Sequence, residues 1–79
     1  MEFDKLKEII AEVLNVDPNE LTEETTFMED LGADSLDLFQ IVMGIEEAFQ
    51  IEVVPEEAEK ITTVGEALQL IQDAVEEKE

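Results

Sequence analysis

The chain has 79 residues, enough for one small domain with a thin core. Its 23 acidic residues against four lysines give a net charge of −19, which argues against nucleic acid and anionic membrane surfaces as partners. It has no cysteine and no histidine, which removes disulfides, thiolate metal sites and the usual acid–base catalyst.

A hydrophobic content of 44% is too high for a disordered acidic tail, so a folded core is expected. The acidic surface suits partners that present basic patches, or serves simply to keep a small protein in solution. The start, Met1-Glu2-Phe3-Asp4-Lys5, lacks the basic region and apolar run of a signal peptide. No stretch approaches the roughly 20 apolar residues that span a bilayer. The expectation is a monomeric, cytoplasmic single domain over residues 1–79.

The first periodic segment covers about residues 3–14. Phe3, Leu6, Ile9, Ile10, Val13 and Leu14 recur at helical spacing, with Asp4, Lys5, Lys7, Glu8 and Glu12 on the other side. Asn15 is a stop. Asp17-Pro18 reads as a cap and a first helical position that open at most one turn. Residues 15–34 then form a long connection without periodicity, and a connection of that length in so small a domain is usually functional or locally ordered. Leu21, Phe27, Met28 and Leu31 are expected to pin it to the core, and Thr22, Thr25 and Thr26 to bond locally to backbone.

The stretch Leu31-Gly32-Ala33-Asp34-Ser35-Leu36-Asp37-Leu38 is a turn that delivers one hydroxyl to the start of a helix. Gly32 permits backbone angles that other residues resist. Asp34 is a good N-cap, because its carboxylate accepts from N–H groups two or three residues on. Ser35 falls at the first helical position, where backbone donors are unpaired and the helix dipole is positive. A phosphate bonded to that hydroxyl would meet favourable partial charges.

The second helix is expected over about 35–49. Leu38, Ile41, Val42, Ile45 and Phe49 make one apolar stripe, with Ala48 beside it; Leu36, Phe39 and Met43 extend the apolar surface round the helix. So much apolar surface means either deep burial or an exposed strip for partners. Ile51-Glu52-Val53 alternates like a strand but has no pairing partner, so residues 50–54 are taken as an extended loop. Pro55 opens a short helix that runs to Ala58 or Lys60. Thr63-Val64-Gly65-Glu66 has the capping-box pattern, and Val64, Ala67, Leu68, Ile71 and Val75 mark a last helix over about 64–76, with a frayed end beyond it. Phe3, Leu6, Phe27, Phe49, Leu68 and Ile71 are assigned to core alone. The fold class is all-α: a small four-helix bundle, three main helices and one short one, with a long loop between the first and second.

Residues 28–37 do not make a calcium loop, since the Asp-x-Asp-x-Asp-Gly order is absent; no metal site is assigned, although clustered carboxylates leave weak divalent binding open.

Taken together, Leu31-Gly32 with Asp34-Ser35-Leu36, then Val42-Met43, Glu46-Glu47-Ala48-Phe49 and Glu56-Glu57-Ala58-Glu59-Lys60-Ile61-Thr62-Thr63-Val64, resemble the acyl carrier proteins nearly end to end. Asp-Ser-Leu alone is a weak match; the ordered series at family spacing is a specific one. The resemblance implies that a phosphopantetheinyl transferase moves 4′-phosphopantetheine from coenzyme A, with magnesium, onto Ser35, flanked by Asp34 and Leu36. Acyl groups then ride as thioesters on the arm's thiol, and the carrier itself is not an enzyme. The absent histidine fits, because an acceptor serine needs no base within the chain.

The resemblance also implies a recognition face of Leu36, Asp37, Met43, Glu46 and Glu47, with Asp34 among the acidic positions, turned to basic patches on fatty-acid synthesis enzymes. It implies an acyl pocket as well, for which Leu38, Ile41, Ile45, Ala58 and Ile61 are the candidates, though ordinary core is the plainer role for all five. The chain departs from the family pattern at three places. Gln40 replaces a glutamate, Phe39 a smaller aliphatic residue, and Val53-Val54-Pro55-Glu56 shifts the proline by one position. The alternatives are a carrier for a polyketide or another acyl or aminoacyl pathway, and an unmodified acidic helical adaptor. Peptidyl carriers usually show Gly-Gly-x-Ser where this chain has Gly32-Ala33-Asp34-Ser35.

Overall fold

In the computed structural model, which describes residues 2–78, the sequence punctuation sets the element ends. Helix α1 spans Glu2–Leu14. It stops where Asn15 turns left-handed at φ 58°, a conformation asparagine tolerates better than most residues, and where the Val16 N–H reaches back to the Ala11 carbonyl at 3.2 Å. Asp17 caps a 3₁₀ turn at Pro18–Glu20 through the Asn19 N–H. Helix α2 spans Ser35–Phe49, the short α3 Pro55–Lys60 and α4 Val64–Lys78. The shifted proline thus opens α3 itself. Helix α4 continues two residues past its expected end, and Glu79 lies outside the described residues.

Leu6 and Ile10 of α1, Ile41, Val42 and Ile45 of α2, and Ala67, Leu68 and Ile71 of α4 meet in one core. Leu21 and Phe27 enter it from the long connection, and Ile51, Val53, Ala58 and Ile61 from the α2–α3 side. Phe27 is 1% exposed and is the largest of the fully enclosed side chains. Phe3 and Phe49, expected as core, are only half-buried and pack on its edge, since each sits near a helix end where neighbours run out on one side.

The connection between α1 and α2 is ordered throughout. The Phe27 N–H donates to the Thr62 carbonyl, Val64 N–H to Thr25 and Gly65 N–H to Glu23, all within 3.0 Å. Thr26 and Thr63 form an isolated antiparallel bridge. A turn follows in which Thr26 and Asp30 exchange side-chain bonds, the Thr26 N–H to Asp30 Oδ2 at 2.9 Å and the Asp30 N–H to Thr26 Oγ1 at 3.0 Å. This turn corrects the expected placement of Met28. Successive residues of a helical turn point about 100° apart; Phe27 goes inward, and Met28 is left 55% exposed.

The start of α4 carries the expected capping box. Glu66 Oε1 accepts from the N–H groups of Thr62 and Thr63 and from the Thr62 hydroxyl, while the Glu66 N–H donates to Thr63 Oγ1. These donors, the Thr62 hydroxyl first, hold the Glu66 carboxyl below its ordinary range.

Candidate functional site around Ser35

Gly32 has φ +67°, in the left-handed region its residue type was expected to supply, and its N–H donates to the Met28 carbonyl at 3.1 Å. Ala33, 5% exposed, tucks its N–H onto the Phe27 carbonyl at 2.9 Å. The chain therefore leaves the ordered turn at a fixed angle. Asp34 is the N-cap of α2, with its Oδ1 accepting from the Asp37 N–H at 2.9 Å. Asp37 returns the bond through Oδ2 to the Asp34 N–H at 3.3 Å, which completes a reciprocal capping box.

Ser35 is the first residue of α2, and it is exposed. Its hydroxyl stands where the first helical N–H groups lack intrahelical acceptors and the dipole is positive. A phosphate ester fits this position: the oxygen is accessible, the local field favours the anion, and Asp34 has already taken the capping task. Ser35 also forms part of the wall of a cavity of about 170 Å³ that is otherwise lined by Met28, Leu38, Phe39, Ala58 and Glu59. A second cavity, about 340 Å³, is lined by Thr26, Phe27, Met28, Glu29, Leu38, Glu59, Ile61 and Thr62.

The residues of the expected recognition face separate into two groups. Leu36 and Met43, seven residues and two turns apart, are 65% and 62% exposed, and Glu47 is exposed beside them. The apolar strip on α2 is thus an open surface. Asp37 and Glu46 are half-buried and bonded within the chain. Glu46 Oε2 accepts from the Val53 N–H at 3.0 Å, across the α2–α3 connection. Among the described residues the one ion pair is Lys7–Asp4 at 3.7 Å, so the acidic side chains of α2 are not neutralised within the chain.

The five pocket candidates also divide. Leu38 lines both cavities, Ala58 the first and Ile61 the second. Ile41 and Ile45 are 2% and 1% exposed, close-packed in the core, and line neither. Gln40 lies elsewhere, with Glu47, in a shallow groove between α1 and α2. Met28, Phe39 and Glu59 were not among the pocket candidates. Met28 faces out of a turn the sequence did not signal, Phe39 stood out only as a departure from the family pattern, and Glu59 looked like one more surface charge.

Among the described residues no three acidic side chains converge to hold a metal ion, and no helix is long and apolar enough to cross a membrane. Residues 4–71 match the family model described as "Phosphopantetheine attachment site". An acyl carrier protein of Wolinella succinogenes is 56% identical over 70 residues, 89% of this chain and 92% of that protein. One from Clostridium acetobutylicum is 47% identical over 77 residues, covering 98% of this chain and 100% of its own length. The crystal structure of an acyl carrier protein from Thermotoga maritima superposes with a TM-score of 0.86 at 34% identity, over 100% of this chain and 96% of that one.

Proposed function

The chain belongs to the acyl carrier protein family, and on that premise we propose that Ser35 is the residue that bears the 4′-phosphopantetheine arm. Proteins of this family are carriers, not enzymes, and hold that arm covalently. The observation that carries the assignment is the exposed hydroxyl at the first position of α2, behind an aspartate that already caps the helix. In the loading step the Ser35 oxygen attacks the pantetheine-side phosphorus of coenzyme A. A serine–phosphate ester forms, the diphosphate P–O bond breaks, and adenosine 3′,5′-bisphosphate leaves. The serine proton passes to the transferase or to water.

Once loaded, the arm supplies the thiol that holds the acyl group as an activated thioester. The chain's own residues do the rest. Asp34 and Asp37 fix the helix start and so the root of the arm. Leu36, Met43 and Glu47 present an apolar and acidic face that suits basic patches on a phosphopantetheinyl transferase and on enzymes of fatty-acid synthesis. Charge on such a face speeds encounter without prolonging it, as a shuttle between enzymes requires. Asp37 and Glu46 contribute charge there while serving as structural ties.

The test is intact mass after incubation with coenzyme A, magnesium and a broad-specificity transferase, beside Ser35→Ala. One phosphopantetheine is expected on the wild type and none on the variant. A folded wild type that gains no mass, or a variant that gains the same mass, overturns the assignment.

A further inference from the structure

We propose that the groove between α1 and α2 is a second docking surface, which takes a basic amphipathic helix of a partner protein while Ser35 stays free. The groove measures about 610 Å³, larger than either cavity beside Ser35. Two rows of side chains at helical spacing form it: Ile9, Glu12 and Val13 on α1, and Gln40, Gly44, Glu47 and Ala48 on α2. Ile9, Val13 and Gly44 are half-buried and make an apolar floor, with Ala48 open at its side. The floor is closed because Gly44 has no side chain. A Cβ there would stand 2.9 Å from Ile9 Cγ2, so Ile9 lies directly on the α2 backbone.

Charge and position choose the occupant. Glu12 and Glu47 are exposed along the groove, one from each helix, and neither takes part in the Lys7–Asp4 ion pair. An apolar floor between two unpaired carboxylates suits a side chain with an aliphatic stem and a cationic head, lysine or arginine. A helix that repeats such residues beside leucines would lay its apolar edge on Ile9, Val13 and Ala48. A second copy of this chain is the wrong partner, because each copy carries a net charge of −19. Gly44 follows Ser35 by nine residues, and at about 100° per residue that is half a turn round α2. The groove thus faces away from the Ser35 hydroxyl, with the exposed strip of Leu36 and Met43 between the two. A partner seated there holds the protein while another enzyme works at Ser35.

The experiment titrates the intact ¹⁵N-labelled protein with a synthetic amphipathic helix of leucine and arginine, about four turns long. A scrambled peptide of the same composition, with no apolar face, is the control. Backbone amide shifts are expected to centre on residues 9–13 and 40–48, and the scrambled peptide is expected to bind more weakly. Glu12→Gln is expected to weaken binding about threefold, the scale of one exposed ion pair. Glu24→Gln, the same loss of charge on the long connection, is expected to change it little, and Gln40→Glu to tighten it. Phosphopantetheine on Ser35 is expected to leave the affinity unchanged. Circular dichroism checks that each variant is folded, as expected for exposed positions. Equal weakening in Glu12→Gln and Glu24→Gln would mean attraction to net charge alone and overturn the proposal. Shifts centred on Leu36 and Met43, equal binding of the scrambled peptide, or loss of binding once Ser35 is loaded also overturn it.

Discussion

The two connections that flank α2 hold it in opposite ways. The one before it covers 20 residues and is anchored at many points: three backbone bonds to the α3–α4 junction, the Thr26–Asp30 exchange, and Phe27 driven into the core. The one after it is short and depends on fewer ties: Ile51 and Val53 in the core, the Glu46 carboxylate on the Val53 N–H and the Ile51 N–H on the Glu46 carbonyl. Length is therefore a poor guide to looseness. What matters is how many independent bonds must break together before a segment opens. Ser35 sits on the well-anchored end of α2. Helix α3 follows the lightly anchored end, so it is the element better placed to shift relative to α2.

The largest expected effect tests the anchored side. Phe27→Ala empties the biggest enclosed side chain and leaves a cavity, at a cost of about 3–5 kcal/mol. Against a total stability of roughly 5–15 kcal/mol that is a severe loss, to be read as a lower urea midpoint. Ser35 loading is expected to fall with it, since the serine turn hangs on the Phe27 carbonyl through Ala33. A variant that keeps the wild-type midpoint would show that the connection is held by its backbone bonds alone.

Glu46→Ala tests the other end. It leaves the Val53 N–H, on a residue 9% exposed, without its acceptor, for about 1–3 kcal/mol. The sharper readout is hydrogen exchange. Faster exchange is expected around residues 51–61, with residues 23–33 unchanged. Uniform acceleration over both segments would mean that the two connections open as one unit.

Gly65→Ala returns to the long connection with a smaller push. A Cβ there would stand 2.9 Å from the Glu23 carbonyl oxygen, a backbone atom that cannot step aside cheaply. Overpacking of about 1–3 kcal/mol is set against up to ~1 kcal/mol gained in helix propensity. The net expectation is a loss of about 1 kcal/mol in urea unfolding; a gain would mean that the Glu23 bond is dispensable.

These effects also show which features the sequence alone could disclose. The four helices, the Asn15 stop, the Asp34 cap and the placement of Ser35 follow from periodicity and neighbouring residues, so they were readable in advance. The order within residues 21–33 was not, because it comes from Thr26 meeting Thr63 and Glu23 meeting Gly65 across about 40 residues. The second half of the α2 capping box escaped notice because aspartate at Asp37 is not the usual glutamate or glutamine of that motif. Glu46 looked like one more surface charge, since nothing local marks a bond to Val53. Ile41 and Ile45 matched a pocket by position, yet periodicity cannot tell a packed residue from one that borders a cavity.

The smallest effect isolates the Glu66 cap, which secures the junction the long connection is bonded to. The Thr62 hydroxyl and the Thr62 and Thr63 N–H groups favour the charged carboxylate, so its folded pKa lies below the ordinary 4.5. A depressed carboxyl contributes stability that is present above the unfolded value and disappears as pH falls through the folded one. The protein as a whole has the opposite tendency under mild acid, because protonating a chain of net charge −19 relieves self-repulsion. Overall stability against pH would therefore hide the cap. The difference between wild type and Glu66→Gln exposes it, since glutamine keeps an acceptor oxygen but never the charge. That difference is expected to be constant from neutral pH down to the ordinary glutamate range, then to shrink below it as Glu66 itself becomes neutral. Urea midpoints across that range would show it; a gap that persists unchanged at the acid end would mean that the cap works through shape alone.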